Sequence, residues 1–369
     1  MTKLDQARTE INRIDREMAR LFCERMDAAR VVAEYKRETG MPIFDPEREA
    51  QVLLRNTEML GRDEFRSYYA DFLQYMMDIS KRYQKRLLDG RRIAYSGVEG
   101  AFAWIAARRI FPAGTLVPYP DFRAAYLAAE NGECDCVVLP IENSYQGDVA
   151  QVMDMTFAGS LYINGIYDLE VTQNLLGLPG TRADEITEVI SHPQALGQCA
   201  EYLRAHDIRA TEASNTAIAA QMVSKMGRPE VGAIASRETA ALYGLDILEA
   251  EINESRNNTT RFAVLSRTPS APSPADNHFI MFFTVRNEAG ALGRAISVIG
   301  QNGYNLRALK SRPTKDNNWE YYFYAEGEGN IHAPAGQQML EWLSMACNRV
   351  KVVGSFVSEK KLTEKKQGE

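Results

Sequence analysis

Residues 257–262 have the sequence Asn-Asn-Thr-Thr-Arg-Phe, and its last four positions bring three kinds of chemical group together. Thr260 offers a hydroxyl donor, Arg261 a guanidinium and Phe262 an aromatic face. Because arginine binds a carboxylate through two parallel hydrogen bonds, the segment suits a small ring compound that bears a carboxylate. The alternative is a strand over 259–265 on which Arg261 is merely solvated, and the rest of the chain must decide between the two.

A second group of candidate residues lies on the first helical pattern. Residues 4–38 contain no Pro or Gly, and their apolar residues recur at helical spacing. Arg8, Arg25 and Lys36 fall within the apolar stripe. A buried cation needs an anionic partner, and Asp15 on the same side is an internal candidate. Three cations against one acid leave positive charge that a multiply anionic ligand would match.

Two shorter helices follow the first. A short helix is predicted from Pro46, and a third over 64–88, with Ser80 and Gln84 one turn apart on its inner side. Three helices of such unequal length cannot easily enclose a core. We therefore expect the first helix to pair with that of a second chain, giving a homodimer or a higher homo-oligomer.

Beyond a short linker, the pattern changes to alternating strands and helices, which is typical of an α/β fold. Asn143 follows the strand predicted over 134–139. Ser191 ends the strand predicted over 188–191, and Gln198 lies in the helix after it. Ligands of open α/β sheets bind at the carboxyl ends of strands, although a helix cap or a turn would use the same residue types.

Two other residue types suggest chemistry that their context does not favour. His192 lacks the partners of a catalytic triad, so helix capping or substrate contact is the better interpretation. Cys134 and Cys136 are not followed by a second Cys or His pair at metal-binding spacing, so strand core is the better interpretation. We expect no metal and no cofactor.

The last part of the chain forms a separate pattern. A Pro/Ser-rich linker over 267–274 marks a domain boundary. Residues 278–357 then alternate as strand, helix, strand, strand, helix and strand, the βαββαβ order of ferredoxin-like α+β folds. The tail from Ser358 is expected to be disordered; its lysines are Lys360, Lys361, Lys365 and Lys366.

Composition limits the class of protein. A chain of 369 residues predicts two or three domains. A net charge of −6 and a pI near 5.5 do not favour nucleic-acid binding. No apolar run approaches the length of a membrane span, and the N-terminal residues lack the apolar region of a signal peptide. Five scattered cysteines fit a reducing compartment, so a cytoplasmic location is expected.

Residues 1–88 resemble the all-helical chorismate mutase domain of the bifunctional chorismate mutase–prephenate dehydratases. In that family two arginines and a lysine on the long helix, an Asp-x-x-Arg-Glu segment and a Ser-x-x-x-Gln pair surround the substrate. This chain fills every one of these positions at the family's spacing, with Arg8, Arg25, Lys36, Asp45, Arg48, Glu49, Ser80 and Gln84. The resemblance implies that Lys36 and Gln84 donate to the breaking ether oxygen of chorismate, that the arginines bind its carboxylates, and that Arg8 comes from a partner subunit.

Residues 91–267 resemble the prephenate dehydratase domain of the same family, which has two α/β lobes around a cleft and is similar to type 2 periplasmic binding proteins. The matching motifs include Pro-Ile-Glu-Asn-Ser at 140–144, Ser-His-Pro-Gln at 191–194 and Thr-Thr-Arg-Phe at 259–262. The resemblance implies loss of water and CO2 from prephenate, with Thr260 as the donor to the ring hydroxyl. The other implied substrate-contacting residues are Asn143, Ser191, Gln198, Arg261 and Phe262. The chain departs from the family at Ala101 and Ala103, where hydroxyl residues are usual.

Residues 278–357 resemble an ACT regulatory domain, in which phenylalanine binds between paired domains as a feedback inhibitor. Ala289 and Lys310 stand where the family usually has a proline and an acidic residue. The whole resemblance implies a multidomain enzyme of phenylalanine biosynthesis whose substrates are chorismate and prephenate. The alternative is a chorismate mutase fused to a weakened dehydratase that acts as an amino-acid-sensing module. The implied effector-binding residues are Gly290, Ala291, Leu292, Asn305, Ser311, Arg312 and Pro313.

Overall fold

The computed structural model describes residues 2–255, 257–314, 320–358 and 360–362. The chain divides into two compact units, Met1–Arg92 and Ile93–Glu369, which we call the helical unit and the α/β unit. Among the described residues, no helix has both the length and the apolar character needed to cross a membrane.

The helical unit contains α1 (Lys3–Thr39), α2 (Pro46–Glu58), a 3-10 turn (Asp63–Phe65) and α3 (Arg66–Asp89). Thr2 and Asp5 form a reciprocal capping box that begins α1, and Gly40, with φ of 70°, ends it. A helix of 37 residues is about 55 Å long, which is much longer than either of its neighbours.

The core of the helical unit is small. Its buried residues among those described are Ala29 and Ala33 on α1, and Leu73, Met77, Ser80 and Gln84 on α3. The first half of α1 leaves a row of apolar side chains exposed within one chain: Ile11, Ile14, Met18, Leu21 and Phe22. Within one chain, the apolar stripe predicted for this helix is therefore covered only at Ala29 and Ala33 and partly at Met26.

The α/β unit begins with β1 (Arg92–Ser96) and continues in chain order through α4 (Phe102–Ile110), β2 (Thr115–Tyr119), α5 (Phe122–Glu130), β3 (Cys136–Asn143), β4 (Gly147–Asp148), α6 (Ala150–Ala158), β5 (Tyr162–Glu170), β6 (Asn174–Gly177), β7 (Glu188–Ser191), α7 (Pro193–Gln198), α8 (Ala200–Ala205), β8 (Arg209–Glu212), α9 (Thr216–Met226), β9 (Val231–Ala235), α10 (Arg237–Tyr243), β10 (Asp246–Glu249) and β11 (Thr259–Ser266). The remaining elements are β12 (His278–Thr284), α11 (Ala291–Gln301), β13 (Asn305–Pro313), β14 (Tyr321–Glu328), α12 (Pro334–Ala346), β15 (Arg349–Phe356) and β16 (Lys360–Lys361).

These elements form two lobes and a C-terminal module. The sheet of the first lobe has the order β16-β5-β11-β3-β1-β2, with β4 paired to β3, and the sheet of the second lobe has the order β10-β6-β9-β7-β8. The chain crosses between the lobes twice, over 171–173 and over 250–258. The C-terminal module, β12 to β15 with α11 and α12, has the sheet order β13-β14-β12-β15 and the predicted βαββαβ sequence of elements.

The C-terminal module shares a hydrophobic core with the first lobe. Phe282 and Tyr322 of the module pack in one cluster with Leu139 and Phe157 of the lobe. The rings of Phe157 and Tyr322 stack with centroids 4.2 Å apart. The two segments predicted as separate domains, 91–267 and 278–357, therefore lie in one compact unit.

Sequence patterns missed β5, β6 and β10. The Asn164-Gly165 pair, a typical turn signal, lies in the middle of β5, and the other two strands have only four residues each. The prediction of a disordered tail was wrong for Lys360 and Lys361, which pair in parallel with β5. The free edge of β5 offers unpaired backbone groups to this segment. Lys365 and Lys366 lie outside the described residues.

Candidate active sites

In the helical unit, Arg25 and Ser80 connect α1 to α3. The guanidinium of Arg25 donates a hydrogen bond to Ser80 Oγ, and the Ser80 hydroxyl donates to the carbonyl of Met76, 2.9 Å away. Gln84, one turn further along α3, is 8% exposed, and its Oε1 has no hydrogen-bond partner among the described residues. Buried polar atoms are nearly always hydrogen-bonded. The unpaired Gln84 Oε1 therefore indicates a site where a polar ligand would supply the missing hydrogen bond.

Lys36 lies on the same face of α1 as Arg25. The two residues are eleven apart, close to three full turns, which separates them by about 16 Å along the helix axis. Lys36 Nζ donates to the carbonyl of Ile43, 2.6 Å away, in the turn that leads to α2. The structure thus places the predicted lysine at the junction of α1 and α2.

The residues predicted on α2 have different roles in the fold. Asp45 is the N-cap and accepts a hydrogen bond from the backbone N–H of Arg48 at 3.0 Å. Glu49 forms an ion pair of 2.8 Å with Lys81 and so connects α2 to α3. The Arg48 side chain is exposed. Two of the three predicted residues therefore stabilise the fold, and the third is available to a ligand.

Arg8 is exposed and lies far from the other predicted residues of its own chain. It precedes Arg25 by 17 residues on one continuous helix, a distance of about 25 Å. Since α1 is unbroken, Arg8 cannot fold back to reach the Arg25–Ser80 pair.

The cations of this site are not neutralised internally. Within residues 2–92, the recorded ion pairs involve other arginines and Lys81, and none involves Arg8, Arg25, Lys36 or Arg48. Burial lowers the pKa of Arg25 because no neighbouring carboxylate offsets the lost hydration. A partly buried guanidinium without a carboxylate favours binding of an anion.

In the α/β unit, Asn143 is the centre of a hydrogen-bond network. Its Oδ1 accepts from the backbone N–H groups of Tyr145 and Gln146, each at 3.0 Å. Its Nδ2 donates to Asn258 Oδ1 and to Thr260 Oγ1, each at 2.9 Å. Because Thr260 accepts from the amide, its own hydroxyl proton is available for donation to a ligand.

Gln198 belongs to a second network beside the first. Its Oε1 accepts from Nε2 of Gln173, which lies in the first crossover between the lobes, at 3.3 Å. The Nε2 of Gln198 and the Nδ2 of Asn258 are buried without a hydrogen-bond partner among the described residues. Gln198, Asn258 and Tyr145 border one cavity of about 130 Å³.

Arg261 points away from Thr260, because consecutive residues of a strand face opposite sides of the sheet. Its guanidinium donates to Glu326 of the C-terminal module at 2.6 and 3.0 Å. It also donates to Glu142 at 2.9 Å, and Asp168 lies 3.9 Å away. Arg261 was predicted to bind a carboxylate of the substrate, but in this structure it binds carboxylates of the protein itself.

The ion pairs around Arg261 hold their charges firmly. Burial opposes the charge of Arg261, but its hydrogen bonds to Glu326 and Glu142 raise its pKa above the usual value. Burial would also raise the pKa of Glu326, which is 2% exposed, but hydrogen bonds from His278, Arg261 and Tyr324 lower that pKa well below its usual value. Arg261 and Glu326 therefore both carry their charges across the physiological pH range.

Three further predicted residues are satisfied within the fold. Phe262 is 2% exposed and packs in the core of the first lobe, against α4. Ser191 is fully buried, and its hydroxyl donates to the carbonyl of Ile234 at 2.6 Å. His192 caps α7 by accepting from the backbone N–H of Gln194 at 3.2 Å, which is the capping role considered for it.

A larger cavity of about 780 Å³ lies between the lobes. It is bordered by Phe102 and Arg109 of α4, by Ser236 and Glu238 of the second lobe, and by both crossovers. Ala101 is the N-cap of α4 and provides no side-chain hydrogen bond to it. The missing hydroxyls therefore leave the first-turn amides of α4 without a side-chain cap.

The predicted effector residues divide into two groups on the C-terminal module. Gly290 is the N-cap of α11 with φ of 78°, and Ser311 and Pro313 are exposed on the edge strand β13. Asn305 begins the same strand, so it lies about 20 Å from Ser311. Arg312 faces the first lobe and forms an ion pair of 2.7 Å with Asp154. Ala291 and Leu292 form the first turn of α11.

Sequence reasoning did not assign a role to Asn258 or Gln173. Asn258 lies two residues before Thr260, and a period of two on a strand would have placed both on one face. Gln173 lies in a crossover between two strands that were not predicted, so no pattern pointed to it. Neither the Glu326–Arg261 pair nor the Lys310–Glu142 pair of 2.9 Å has a local sequence signal, because the partners are far apart in the chain.

Comparison with known proteins matches both units. A family model for chorismate mutase type II matches residues 7–85, and one for prephenate dehydratase matches residues 93–270. Among solved structures, one described as a novel type of quorum quenching acylase is 30% identical, with a TM-score of 0.68, and the match covers 73% of this chain and 98% of that one. A prephenate dehydratase from Arthrobacter aurescens in complex with L-Phe has a TM-score of 0.67, with 72% and 90% coverage, and at 24% identity it shows the fold alone.

Relatives match along nearly the whole chain. A bifunctional chorismate mutase/prephenate dehydratase of Aquifex aeolicus is 30% identical over 367 residues, which is 96% of this chain and 98% of that protein. The match includes both family models and the module that follows them. This chain therefore belongs to the family of bifunctional chorismate mutase/prephenate dehydratases.

Proposed function

We propose that this chain carries out two consecutive reactions of phenylalanine biosynthesis. The helical unit rearranges chorismate to prephenate, and the α/β unit converts prephenate to phenylpyruvate by removing water and CO2. The observation that carries the proposal is the full-length similarity to a bifunctional relative, together with two polar sites whose unpaired groups suit these substrates. The proposed location is the cytoplasm, which the scattered cysteines favour.

The first reaction is a rearrangement within one molecule, so it needs positioning and charge stabilisation rather than a nucleophile. Chorismate carries two carboxylates, and Arg25 and Arg48 are cations without internal carboxylate partners to neutralise them. As the ether bond breaks, negative charge develops on its oxygen. Lys36 and Gln84 are the proposed donors to that oxygen, and the proposal is supported by the unpaired, buried side chain of Gln84.

A homodimer is the proposed assembly. The exposed apolar row on the first half of α1 would be covered by the same helix of a second copy. Arg8, about 25 Å from Arg25 on an unbroken helix, would then reach the site of the second copy. Each mutase site would contain residues from both chains.

The second reaction needs a donor at the ring hydroxyl of prephenate, because hydroxide is a poor leaving group. The Thr260 hydroxyl is the proposed donor, since Asn143 occupies its acceptor side and leaves its proton available. The ring C–O bond breaks, and the hydroxyl leaves as water with this proton, which Thr260 regains from solvent. The electrons of the bond to the ring carboxylate form the new double bond of the aromatic ring as CO2 leaves.

The C-terminal module is the proposed regulatory domain, of the ACT type, with phenylalanine as its inhibitor. The first-turn amides of α11 at Gly290 suit an amino-acid carboxylate. The module contacts the strands of the dehydratase site directly: Glu326 binds Arg261, next to Thr260, and Lys310 binds Glu142, next to Asn143. A shift of the module would therefore act on both strands that carry the Asn143–Thr260 pair.

The test is an assay of purified protein with chorismate and with prephenate, in the presence and absence of phenylalanine. We expect consumption of chorismate and formation of phenylpyruvate, the latter falling when phenylalanine is added. We also expect Thr260→Val to lower dehydratase turnover at least about 100-fold while mutase activity is unchanged. Protein that converts chorismate but forms no phenylpyruvate would contradict the dehydratase assignment and favour a mutase fused to an amino-acid-binding module.

A further inference from the structure

Asn143, Asn258 and Thr260 form a network whose amide orientations are fixed by backbone groups. Asn143 Oδ1 accepts from two backbone N–H groups, which are donors only, so this atom is the oxygen and Nδ2 is the nitrogen. Nδ2 then donates to Asn258, which makes the bonded atom of Asn258 its oxygen. The remaining atom of Asn258 is therefore a nitrogen with two protons to donate.

Asn143 has no hydrogen-bonding capacity left for a ligand. Its oxygen accepts two hydrogen bonds, and its two amide protons go to Asn258 and Thr260. An amide side chain offers two acceptor positions and two donor protons, and all four are used. Asn143 is thus suited to position its neighbours and not to touch the substrate.

Asn258 has the opposite character. It is 3% exposed, and its Nδ2 is a buried donor without a partner among the described residues. It borders the same cavity as Gln198, which is 7% exposed and also carries an unpaired amide. Buried donors without acceptors are costly and rare in folded proteins, so two of them at one cavity indicate an acceptor that arrives from outside.

We propose that Asn258 binds a carboxylate oxygen of the dehydratase substrate through Nδ2, and that Asn143 is a positioning residue that orients both Asn258 and the Thr260 hydroxyl. The proposal rests on the proposed dehydratase function and deepens it. Asn258 and Thr260 are two residues apart on one face, about 6.7 Å along a strand. They can therefore contact different groups of the same six-membered ring compound.

Asn258→Asp is the decisive variant, because it changes only the group that faces the ligand. The carboxylate introduced by this substitution still accepts from Asn143, but it offers an acceptor where the wild type offers a donor. We expect KM for prephenate to rise about 10- to 100-fold, the value of a lost hydrogen bond to a charged group, with a smaller change in kcat. Asn143→Asp should instead mainly lower kcat, because its carboxylate would accept the Thr260 proton.

Asn257→Asp is the matched control. It introduces the same charge one residue away on an exposed side chain, and its KM and kcat should stay within about twofold of wild type. Tryptophan fluorescence melting of each variant reports whether the α/β unit is folded, because the chain has no tryptophan before Trp104 and the helical unit therefore contributes no signal. An Asn258→Asp protein that is folded and has a wild-type KM would overturn the proposal.

Product inhibition identifies which carboxylate is bound. Phenylpyruvate keeps the side-chain carboxylate of prephenate and lacks the ring carboxylate. Weaker inhibition of Asn258→Asp by phenylpyruvate would assign Asn258 to the side-chain carboxylate, and unchanged inhibition with raised KM would assign it to the ring carboxylate. Wild-type protein that forms no phenylpyruvate would contradict the proposed function instead, and calorimetric binding of prephenate to wild type and Asn258→Asp would then decide the inference.

Discussion

Arg25 in the helical unit and Arg261 in the α/β unit are both partly buried guanidiniums at predicted binding sites, yet their surroundings differ in charge. Arg25 donates to a serine hydroxyl, and no carboxylate pairs with it within the described helical unit. Arg261 is held by Glu326 and Glu142, with Asp168 nearby. Burial lowers the pKa of Arg25, whereas the carboxylates around Arg261 raise its pKa despite burial.

The difference shows that the same residue type serves two purposes in one chain. An unmatched cation favours a doubly charged ligand because ligand binding supplies the missing negative charge. A cation that already pairs with carboxylates of the protein, as Arg261 does, needs no charge from a ligand. It instead holds one element of the fold against another. Around the Asn143–Thr260 network of the α/β unit, the groups left for a ligand are neutral: the Thr260 hydroxyl and the amides of Asn258 and Gln198.

The largest expected effect tests the unmatched cations. Lys36→Ala should lower kcat of chorismate rearrangement about 1,000-fold, the upper range for removing a donor that stabilises developing negative charge. The Lys36 ammonium makes one recorded hydrogen bond, to the carbonyl of Ile43, so helix content by circular dichroism should be unchanged. Dehydratase turnover of the same protein is the internal control. Near-normal mutase turnover would remove Lys36 from the site.

Removing each arginine in turn makes the comparison sharper. Arg261→Gln leaves Glu326 buried with a missing partner, so the α/β unit should lose about 3–5 kcal/mol of stability, measured by urea unfolding followed by tryptophan fluorescence. Arg25→Gln removes a cation that has no carboxylate partner and loses only its hydrogen bond to Ser80. The helical unit should therefore lose about 1 kcal/mol or less, measured by circular dichroism, while KM for chorismate rises.

A double variant separates charge from packing at the same place. Arg261→Met combined with Glu326→Gln removes both charges and keeps an amide that can hydrogen-bond His278 and Tyr324. This double variant should recover much of the lost stability, since a buried ion pair is often no better than uncharged residues of similar size. If Arg261→Gln instead leaves stability intact and raises KM for prephenate, then Arg261 binds substrate and the contrast with Arg25 does not hold.

The next effect is the change in folding stability at acidic pH. Glu326 has a folded-state pKa below the usual value of 4.5, so its ion pairs contribute full stability above pH 4.5. As pH falls below 4.5, the unfolded chain takes up the proton first, and the contribution is progressively lost. Glu326→Gln should be less stable than wild type at pH 7, and the gap should narrow as pH is lowered below 4.5 in fluorescence-monitored melts. A constant gap would mean that Glu326 is not the titrating group.

Much of this arrangement could be predicted from residue order, and the rest depends on contacts between distant segments. The end of α1 and the elements from α4 to β2 follow from local signals such as Gly40 and helical spacing. Asn143 is predicted as a polar residue after a strand, Gln198 as one in the helix that follows a strand, and Thr260 as the hydroxyl donor of the segment 259–262. The pairing of Arg261 with Glu326, 65 residues later, follows from the shared core of the C-terminal module and the first lobe, which no local pattern encodes.

The smallest effect concerns the connection between the module and the dehydratase strands. Lys310 binds both Glu142 and Asp148 across the interface, and burial opposes its charge while these two acids raise its pKa. Lys310→Met keeps the length of the side chain and removes the charge. Because the ion pair is partly buried and Glu142 keeps its hydrogen bond to Arg261, stability should fall by about 1 kcal/mol. Because Lys310 holds the strand segment next to Asn143, the same variant should bind phenylalanine with the affinity of wild type, measured by calorimetry, yet be inhibited by it less.

The matched control is Lys85→Met in the helical unit, which should change neither the affinity for phenylalanine nor the inhibition by it. Inhibition that remains at the wild-type level in Lys310→Met would assign the coupling to Glu326 and Arg261 alone.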